Sequence, residues 1–418
     1  MNRTDVVVVG LGVVGLSLAA AVARAGYRVC GVETSPARRA QIEQPGTGAA
    51  GEEDLQPLLA SGQLRLQGEG ELPSAEVYCV SVPSPCRSDG FMDVSWLRNA
   101  AESVGRALRR GGLVLVHSTC APGTIERQIV KVLSQTSQLV AGVDYHVAHA
   151  PDRIDPARQT PAEGVPRVVG GLTPTCTKTA VTFLRSVFGH VHPVNRIETA
   201  EFVKTFENTF RLVNIALAHE LASICHKHDI DPVEVIEAAA TKPYGFLPHR
   251  PGIGAGGACI PVVAAFFRAT ATRRGIMPHL VDAALDVNDT IPGRLVELVR
   301  EQLGALRLRP LPGSRVLAVG VTYKPDVNDI RNSSALRVIE ELVVAGADVD
   351  YYDPFVPELE LRDGPVLRSL PKPEAGGYDL VVLLTKHSSV NHSVLADPGT
   401  AVLDCSTGTP MVVVDGRL

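Results

Sequence analysis

The sequence predicts an α/β protein: two doubly wound, Rossmann-like domains joined by a long central helix and a helical middle region. Three observations carry this. Val6-Val-Val-Val9 runs directly into Gly10-Leu-Gly-Val-Val-Gly15 and an alanine-rich stretch, which is a strand, a glycine turn and a helix in succession. A strand and turn of the same kind recur at Val316–Val319 and Gly320, without the later glycines. Between them, Glu198 to His228 contains neither Pro nor Gly and repeats apolar residues at helical spacing (Phe202, Phe206, Phe210, Val213, Ala216, Leu221).

Composition bounds the function classes. A chain of 418 residues is too long for one core and implies two or three domains. The net charge of −5 and the lack of a Lys/Arg run argue against nucleic acid and against a membrane surface. Eight cysteines stand without CxxC or Cys/His metal spacing, so they read as reduced thiols and no metal site is expected. Val6 to Ala23 resembles a signal peptide or anchor, but Gly10, Gly12 and Gly15 interrupt it and its character changes from β-branched to alanine-rich. A cytoplasmic location follows.

In the first half, a helix is expected from Val13 to Arg24, ending at Gly26. The next strand, Arg28 to Val32, ends on Glu33, eighteen residues after Gly15. Gly10 allows the tight turn, Gly12 lets a pyrophosphate approach, and Gly15 packs helix on strand. The helix start at Val13 and Val14 takes the phosphates, and Glu33 accepts ribose hydroxyls. A carboxylate there repels a 2′-phosphate, which favours NAD over NADP, with Arg38 and Arg39 as the nearby opposing charges. Glu76 to Ser81 reads as a strand into Val82-Pro83-Ser84-Pro85, and Ser95 to Arg109 as a helix. Leu113 to His117 leads into Ser118-Thr119-Cys120-Ala121-Pro122-Gly123-Thr124 and a helix to Leu133. Both turns suit close contact with a nicotinamide ribose, through Val82, Pro83, Ser118 and Thr119. Val143 to Ala150 is a further strand that places Asp152 at its end; Pro174 to Phe188 and His190 to Val194 complete the half.

On the central helix Lys204, Asn208 and Arg211 share one face, and the helix is a natural spine between two facing lobes and a dimer surface. A helix from Pro232 to Ala240 enters the most unusual stretch, Pro243 to Phe267, where five glycines and three prolines lead up to a single thiol, Cys259. So much backbone specialisation suggests a chain shaped to approach a ligand. Tyr244, Phe246, Gly252 and Gly256 are its candidate substrate contacts. Helices follow at Pro261 to Arg273 and Pro278 to Leu303, with Pro292 kinking or dividing the last, and Gly304 to Gly313 reads as a linker. The second α/β half has a helix from Ser334 to Ala345 and strands at Asp348 to Tyr352, Leu380 to Leu384 and Ala401 to Asp404. Lys324 and Arg331 at its first strand end fit a phosphate-bearing ligand better than a second dinucleotide, and Tyr323 is a further candidate substrate contact. The expected domains are 1–197 (NAD), 198–303 (helical, carrying the thiol loop) and 304–418 (nucleotide-sugar).

Taken together, GLGVVG (10–15), VPSP (82–85), STCAPGT (118–124), APDRIDPA (150–157), AEFVKTFENTFRLVNIALAHELASIC (200–225), EAAATKPYGF (237–246), PGIGAGGACIP (251–261) and YKPDVNDIRNSS (323–334) resemble the UDP-glucose/GDP-mannose dehydrogenase family along essentially the whole chain. APDRIDPA, VPRVVGG and ENTFR look closest to its UDP-N-acetylhexosamine branch. The resemblance implies NAD-dependent, four-electron oxidation of a UDP-sugar at C6, and the central helix suggests a homodimer or larger homo-oligomer. It implies Cys259 as the nucleophile that forms a thiohemiacetal and then a thioester. Lys204 and Asn208 would steady the oxyanion and position water, and Thr119 would lie close to the reacting centre. Asp152 stands where the family has a glutamate, Lys324 would contact the UDP-sugar, and Arg331 would reach the cofactor pyrophosphate. Three departures bear on the outcome. Ala258 and Val263 replace a histidine and an aspartate around the cysteine, Asp152 is one methylene short, and Asp404-Cys-Ser-Thr407 lacks a sugar-nucleotide arginine. Two alternatives therefore stay open: an enzyme that stops at the aldehyde or epimerises by transient oxidation, and a non-catalytic paralogue binding NAD and UDP-sugar.

Overall fold

The computed structural model describes residues 4–44, 55–153, 165–257, 259–306, 309–362, 364–395, 400–406 and 411–413. Ile154 to Ala157 of the APDRIDPA motif, Ala258, Arg307 and Leu308 of the expected linker, and Thr407 lie outside the described residues. The chain divides into two compact units, Met1–Glu207 with Ala265–Ile276, and Asn208–Ala264 with Met277–Leu418.

The first unit begins β1 (Val6–Val9), α1 (Val13–Arg24), β2 (Val29–Val32), α2 (Pro36–Glu43), α3 (Gln56–Ala60), β3 (Leu64–Gln67), β4 (Val77–Val80), α4 (Ser95–Ala107) and β5 (Leu113–Val116). A π-helical turn, Ile125–Ile129, then continues into α5 (Val130–Ser137), followed by β6 (His146–His149), β7 (Arg167–Gly171), α6 (Pro174–Phe188) and β8 (Val191–Val194). The helix α7 (Ile197–Lys227) starts in this unit and carries the chain out of it. The strands form one sheet ordered β3-β2-β1-β4-β5-β6-β7-β8, in which β6 and β7 pair antiparallel and the other pairs are parallel. Both faces of such a sheet must be covered at its centre, so β1 and β5 are apolar throughout; Val6, Val8, Leu113 and Leu115 are buried with Leu16 and Ala19 of α1 and Phe183 and Leu184 of α6.

Register decides what the sheet presents. Val9 pairs with Val32 and Val80, Val80 with Val116, and Val116 with His149. The turns after β1, β4, β5 and β6 therefore all leave from the same carboxyl edge, where open α/β sheets bind ligands.

The second unit holds the rest of α7, then α8 (Pro232–Ala240), the start of α9 (Ile260–Thr272), α10 (His279–Ala305), β9 (Arg315–Val319), α11 (Ser334–Val344) and β10 (Asp348–Tyr352). A small hairpin, β11 (Glu358–Glu360) and β12 (Val366–Arg368), precedes β13 (Leu380–Leu383), β14 (Ala401–Asp404) and β15 (Met411–Val413). Its main sheet runs β10-β9-β13-β14-β15, parallel except for β15. Pro292 does not divide α10, which runs on through it. The second unit is thus an α/β lobe of its own, with Val316, Ala318, Val338, Ile339 and Val382 in its core. No helix among the described residues is long and apolar enough to cross a membrane.

Candidate active site

The turn after β1 shows why its glycines are needed. Gly10 has φ +89°, and a Cβ there would stand 2.4 Å from the Ser81 carbonyl oxygen. A Cβ at Gly15 would lie 1.8 Å from the Gly10 oxygen. Gly12 differs: nothing lies within 4 Å of its Cβ position. It also starts α1 without a side-chain cap, and the first turn carries no acid, so the leading N–H groups and the helix dipole are left for an anion. The Glu33 carboxylate accepts the Leu11 N–H (3.1 Å) and the Ser35 N–H (3.0 Å), which leaves one lone pair on each oxygen for a diol. Arg38 bonds to the Leu11 carbonyl and to Gln41, and Arg39 to the backbone of Glu33 and Thr34. Both arginines are thereby engaged with the protein. These residues fit NAD, and Val13 and Val14 open the helix whose uncapped start is left for an anion.

The turns after β4 and β5 are tied together by one hydroxyl. Ser118 Oγ accepts the Val82 N–H (2.9 Å) and donates to the Val82 carbonyl (2.8 Å), fixing Val82-Pro83 beside Ser118-Thr119. Thr119 is half-buried next to the fully buried Cys120. From the first turns of α7, Glu201 reaches the far end of this segment. It is 0% exposed, and its carboxylate accepts the Ile125 N–H at 2.9 Å and the Gly123 N–H. Burial, with a smaller push from Glu198, raises it to about 7 against the two amide donors and Arg127.

Asp152 lies past the end of β6, and its carboxylate is ion-paired to the buried guanidinium of Arg167, which also stacks 4.3 Å over the Phe188 ring. The adjoining Arg153 binds Glu207 of α7 at 2.9 and 2.5 Å. That fastens the Asp152 segment to the turn of α7 that carries Lys204. On α7 itself Lys204 and Asn208 are half-buried one turn apart, and Arg211 is exposed. The Asn208 amide nitrogen is buried with no hydrogen-bond partner among the described residues. A buried donor left open is costly and suits an incoming acceptor.

In the second unit the loop before α9 is clamped from two sides. Asn288 of α10 accepts the Ala255 N–H (2.7 Å) and donates to its carbonyl (3.0 Å). Gly257 donates to the Asn332 carbonyl at 3.2 Å, and a Cβ on Gly257 would lie 2.7 Å from the Tyr323 ring. A Cβ on Gly256 would meet the Asn332 oxygen at 2.7 Å, whereas Gly252 is open on that side. The loop, pressed through Gly256 and Gly257 onto the segment that holds Tyr323, Lys324 and Arg331, ends with Cys259 exposed just before α9. Arg331 is held by Asp329 through bonds of 2.9 and 2.6 Å, which with the nearby Cys259 raise it above its ordinary value. Val263 is buried one turn into α9, where its N–H bonds the Cys259 carbonyl. Tyr244 and Phe246 take no part in these contacts and stand exposed.

Sequence reasoning passed over Glu201, Arg167, Asn288 and the pair Asp353–His387. One signal was available for the pair. Gly320 repeats the Gly10 corner, with φ +81° and a Cβ position 2.1 Å from the Thr385 oxygen, and Asp353 after β10 accepts the Val321 N–H at 2.7 Å as Glu33 accepts that of Leu11.

The comparisons agree with this geometry. Three models of the UDP-glucose/GDP-mannose dehydrogenase family match: the NAD binding domain over residues 4–191, the central domain over 198–290 and the UDP binding domain over 317–417. The chain is 32% identical over 391 residues to a UDP-N-acetyl-D-glucosamine 6-dehydrogenase of Pseudomonas aeruginosa, covering 93% of this chain and 92% of that one. It is 34% identical to a UDP-N-acetyl-D-mannosamine dehydrogenase of Pyrococcus horikoshii, covering 84% of each. Among solved structures, a UDP-D-ManNAc dehydrogenase from Pyrococcus horikoshii superposes with a TM-score of 0.86 at 30% identity, covering 97% of this chain and 96% of that one. The chain belongs to the UDP-glucose/GDP-mannose dehydrogenase family and is an NAD-dependent nucleotide-sugar dehydrogenase.

Proposed function

We propose that the protein oxidises a UDP-N-acetylhexosamine, or UDP-glucose, at C6 to the uronic acid through a covalent intermediate on Cys259. The observation that carries this reading is the placement of Cys259: an exposed thiol at the end of a clamped loop whose Gly256 and Gly257 pack against the segment bearing Lys324 and Arg331. Bound NAD supplies a hydride acceptor, used twice per sugar. Gly12, the start of α1, Glu33, Val82, Pro83, Ser118 and Thr119 would hold the cofactor, with Arg38 and Arg331 at its edges. The Cys259 sulfur adds to the C6 aldehyde, its proton ends on the new C6 hydroxyl, and the resulting thiohemiacetal is the species oxidised to the thioester. Water then forms the C–O bond as the C–S bond breaks, returning the thiol. Lys204 and the open Asn208 amide suit the developing oxyanion. Asp152, with one oxygen committed to Arg167, would orient the water, and Lys324, Tyr323, Arg211, Tyr244, Phe246, Gly252 and Gly256 would surround the nucleotide-sugar.

The boundaries 1–197, 198–303 and 304–418 remain our division of the chain. Phe202, Phe206, Phe210, Leu217 and Ile224 are exposed along α7, which supports a homodimer formed on that helix. Eight free thiols support a cytoplasmic location.

The test is stoichiometric. Incubation with a panel of UDP-sugars and NAD should yield two NADH and one carboxylate per sugar by absorbance and mass spectrometry. A Cys259→Ala variant that kept full four-electron oxidation would sink the covalent route. A second reading follows from Val263, an apolar residue where the family keeps a carboxylate: the reaction ends at the aldehyde or returns as an epimer. One NADH or none, with a changed sugar, selects it. Binding of both ligands without turnover selects a regulatory paralogue.

A further inference from the structure

The second lobe contains a buried polar relay that no step above uses. His387 is 1% exposed and Asp353 fully buried as side chains. His387 Nε2 lies 3.0 Å from Asp353 Oδ2, and its Nδ1 lies 3.0 Å from the Asp326 N–H. A backbone amide can only donate, so Nδ1 must be the bare nitrogen and Nε2 must carry the proton. Asp353 fixes that tautomer. It is anchored in turn by the N–H groups of Val321 (2.7 Å) and Phe355 (2.8 Å), and the Phe355 ring lies against the imidazole.

What the relay grips is the 321–333 segment. Asp326 has φ +60°, a left-handed conformation that a non-glycine residue holds only under constraint. Its N–H is taken by His387 and its carboxylate by the Ser388 N–H at 2.8 Å. Thr322 donates to the Lys324 carbonyl at 2.9 Å, and Thr385 to that of Thr322 at 2.8 Å. The segment so held carries Tyr323 and Lys324, and through Tyr323 and Asn332 it abuts the Cys259 loop.

We infer that His387, locked by Asp353 as the Nε2–H tautomer, is a positioning residue that sets the 321–333 segment for the nucleotide half of the substrate. This rests on the nucleotide-sugar reading of that segment. The same pair distinguishes the two glycine corners. Glu33 is half-buried and keeps lone pairs for a diol, whereas Asp353 is sealed beneath an imidazole and offers none.

The test titrates the full chain with UDP and, separately, with NAD by calorimetry. His387→Ala should weaken UDP binding about tenfold, the weight of one buried hydrogen bond, and leave NAD binding unchanged. Asp353→Ala removes the acceptor that holds Nε2–H and the Val321 N–H on one oxygen and the Phe355 N–H on the other. It should weaken UDP at least as much although it touches no ligand, and 15N-histidine NMR should show Nδ1 bare and Nε2 protonated in the wild type and a mixture of tautomers in the variant. UDP affinity unchanged in both variants, or a wild-type Nδ1 that carries the proton, overturns the proposal. If His387→Ala fails to fold, Asp353→Ala and the wild-type tautomer still decide it. A wild type that does not bind UDP refutes the nucleotide-sugar reading instead. The latch is then judged by hydrogen exchange at the Asp326 amide: protection in the wild type and release in Asp353→Ala support it, and equal exchange overturns it.

Discussion

Replacing Glu201 by Gln removes a buried carboxylate that the fold holds at a disadvantage above neutral pH. Burial raises this acid from 4.5 to about 7. A raised acid contributes stability that is fully present below its unfolded value and lost as the pH rises through its folded value. At about 1.4 kcal/mol per pH unit, the contribution of Glu201 should fall by roughly 2.5 kcal/mol between pH 5 and pH 8. The wild type alone would hide this. Burial holds His117 down to about 3 and His149 to about 4, and lowered histidines act in the opposite sense, losing stability as the pH falls below their ordinary 6.5. The difference between wild type and Glu201→Gln cancels them. Urea unfolding followed through Trp96, which lies on α4 of the same unit, at pH 5, 6, 7 and 8 gives that difference directly. The margin of wild type over variant should shrink by roughly 2.5 kcal/mol across the series. A margin that stays flat would refute the claim that the carboxylate is strained by burial.

Other substitutions separate folding from binding. Gly12→Ala should leave the melting temperature unchanged and weaken NAD in a fluorescence titration, because its Cβ meets only the space where phosphate would lie; Gly15→Ala should lower both, since its Cβ would meet the Gly10 carbonyl. Equal effects of the two on stability would contradict the geometry. Asn288→Ala strips two bonds from Ala255 and should destabilise the protein by about 2–4 kcal/mol. It should also change the rate at which iodoacetamide alkylates Cys259, and an unaltered rate would show that the clamp does not govern the thiol. Val263→Asp buries an unpaired acid and should lower the melting temperature. If the missing carboxylate limits hydrolysis, product analysis should show more uronic acid per NADH, and an unmoved ratio removes that explanation.

Long periodic segments were legible in the sequence. Val13–Arg24, Pro174–Phe188 and Pro232–Ala240 were bounded correctly because a cap, a proline or a glycine stands at their ends. The edge strand Leu64–Gln67 was not read, since its one exposed side alternates polar residues over only four positions. The polar helix Pro36–Glu43 buries a single residue and so gives almost no amphipathic signal. Pro292 suggested a break because its missing N–H is visible in sequence, while the burial that keeps α10 continuous around it is not. The glycine corners were legible because only one residue type permits them. Glu201 and His387 were not, because a lone Glu or His says nothing about the amides that will face it after folding.

The two corners also bear on how ligands could be told apart. A chain that builds one backbone bend twice risks admitting the same molecule at both. Here the distinction rests on a single imidazole: one bend keeps an acid within reach of solvent, and the other has its acid capped. For inhibitor design this implies an address. A diol-bearing nucleoside mimic has a carboxylate to bind at the first bend and none at the second, so selectivity can be tuned through the sugar hydroxyls before the base is altered.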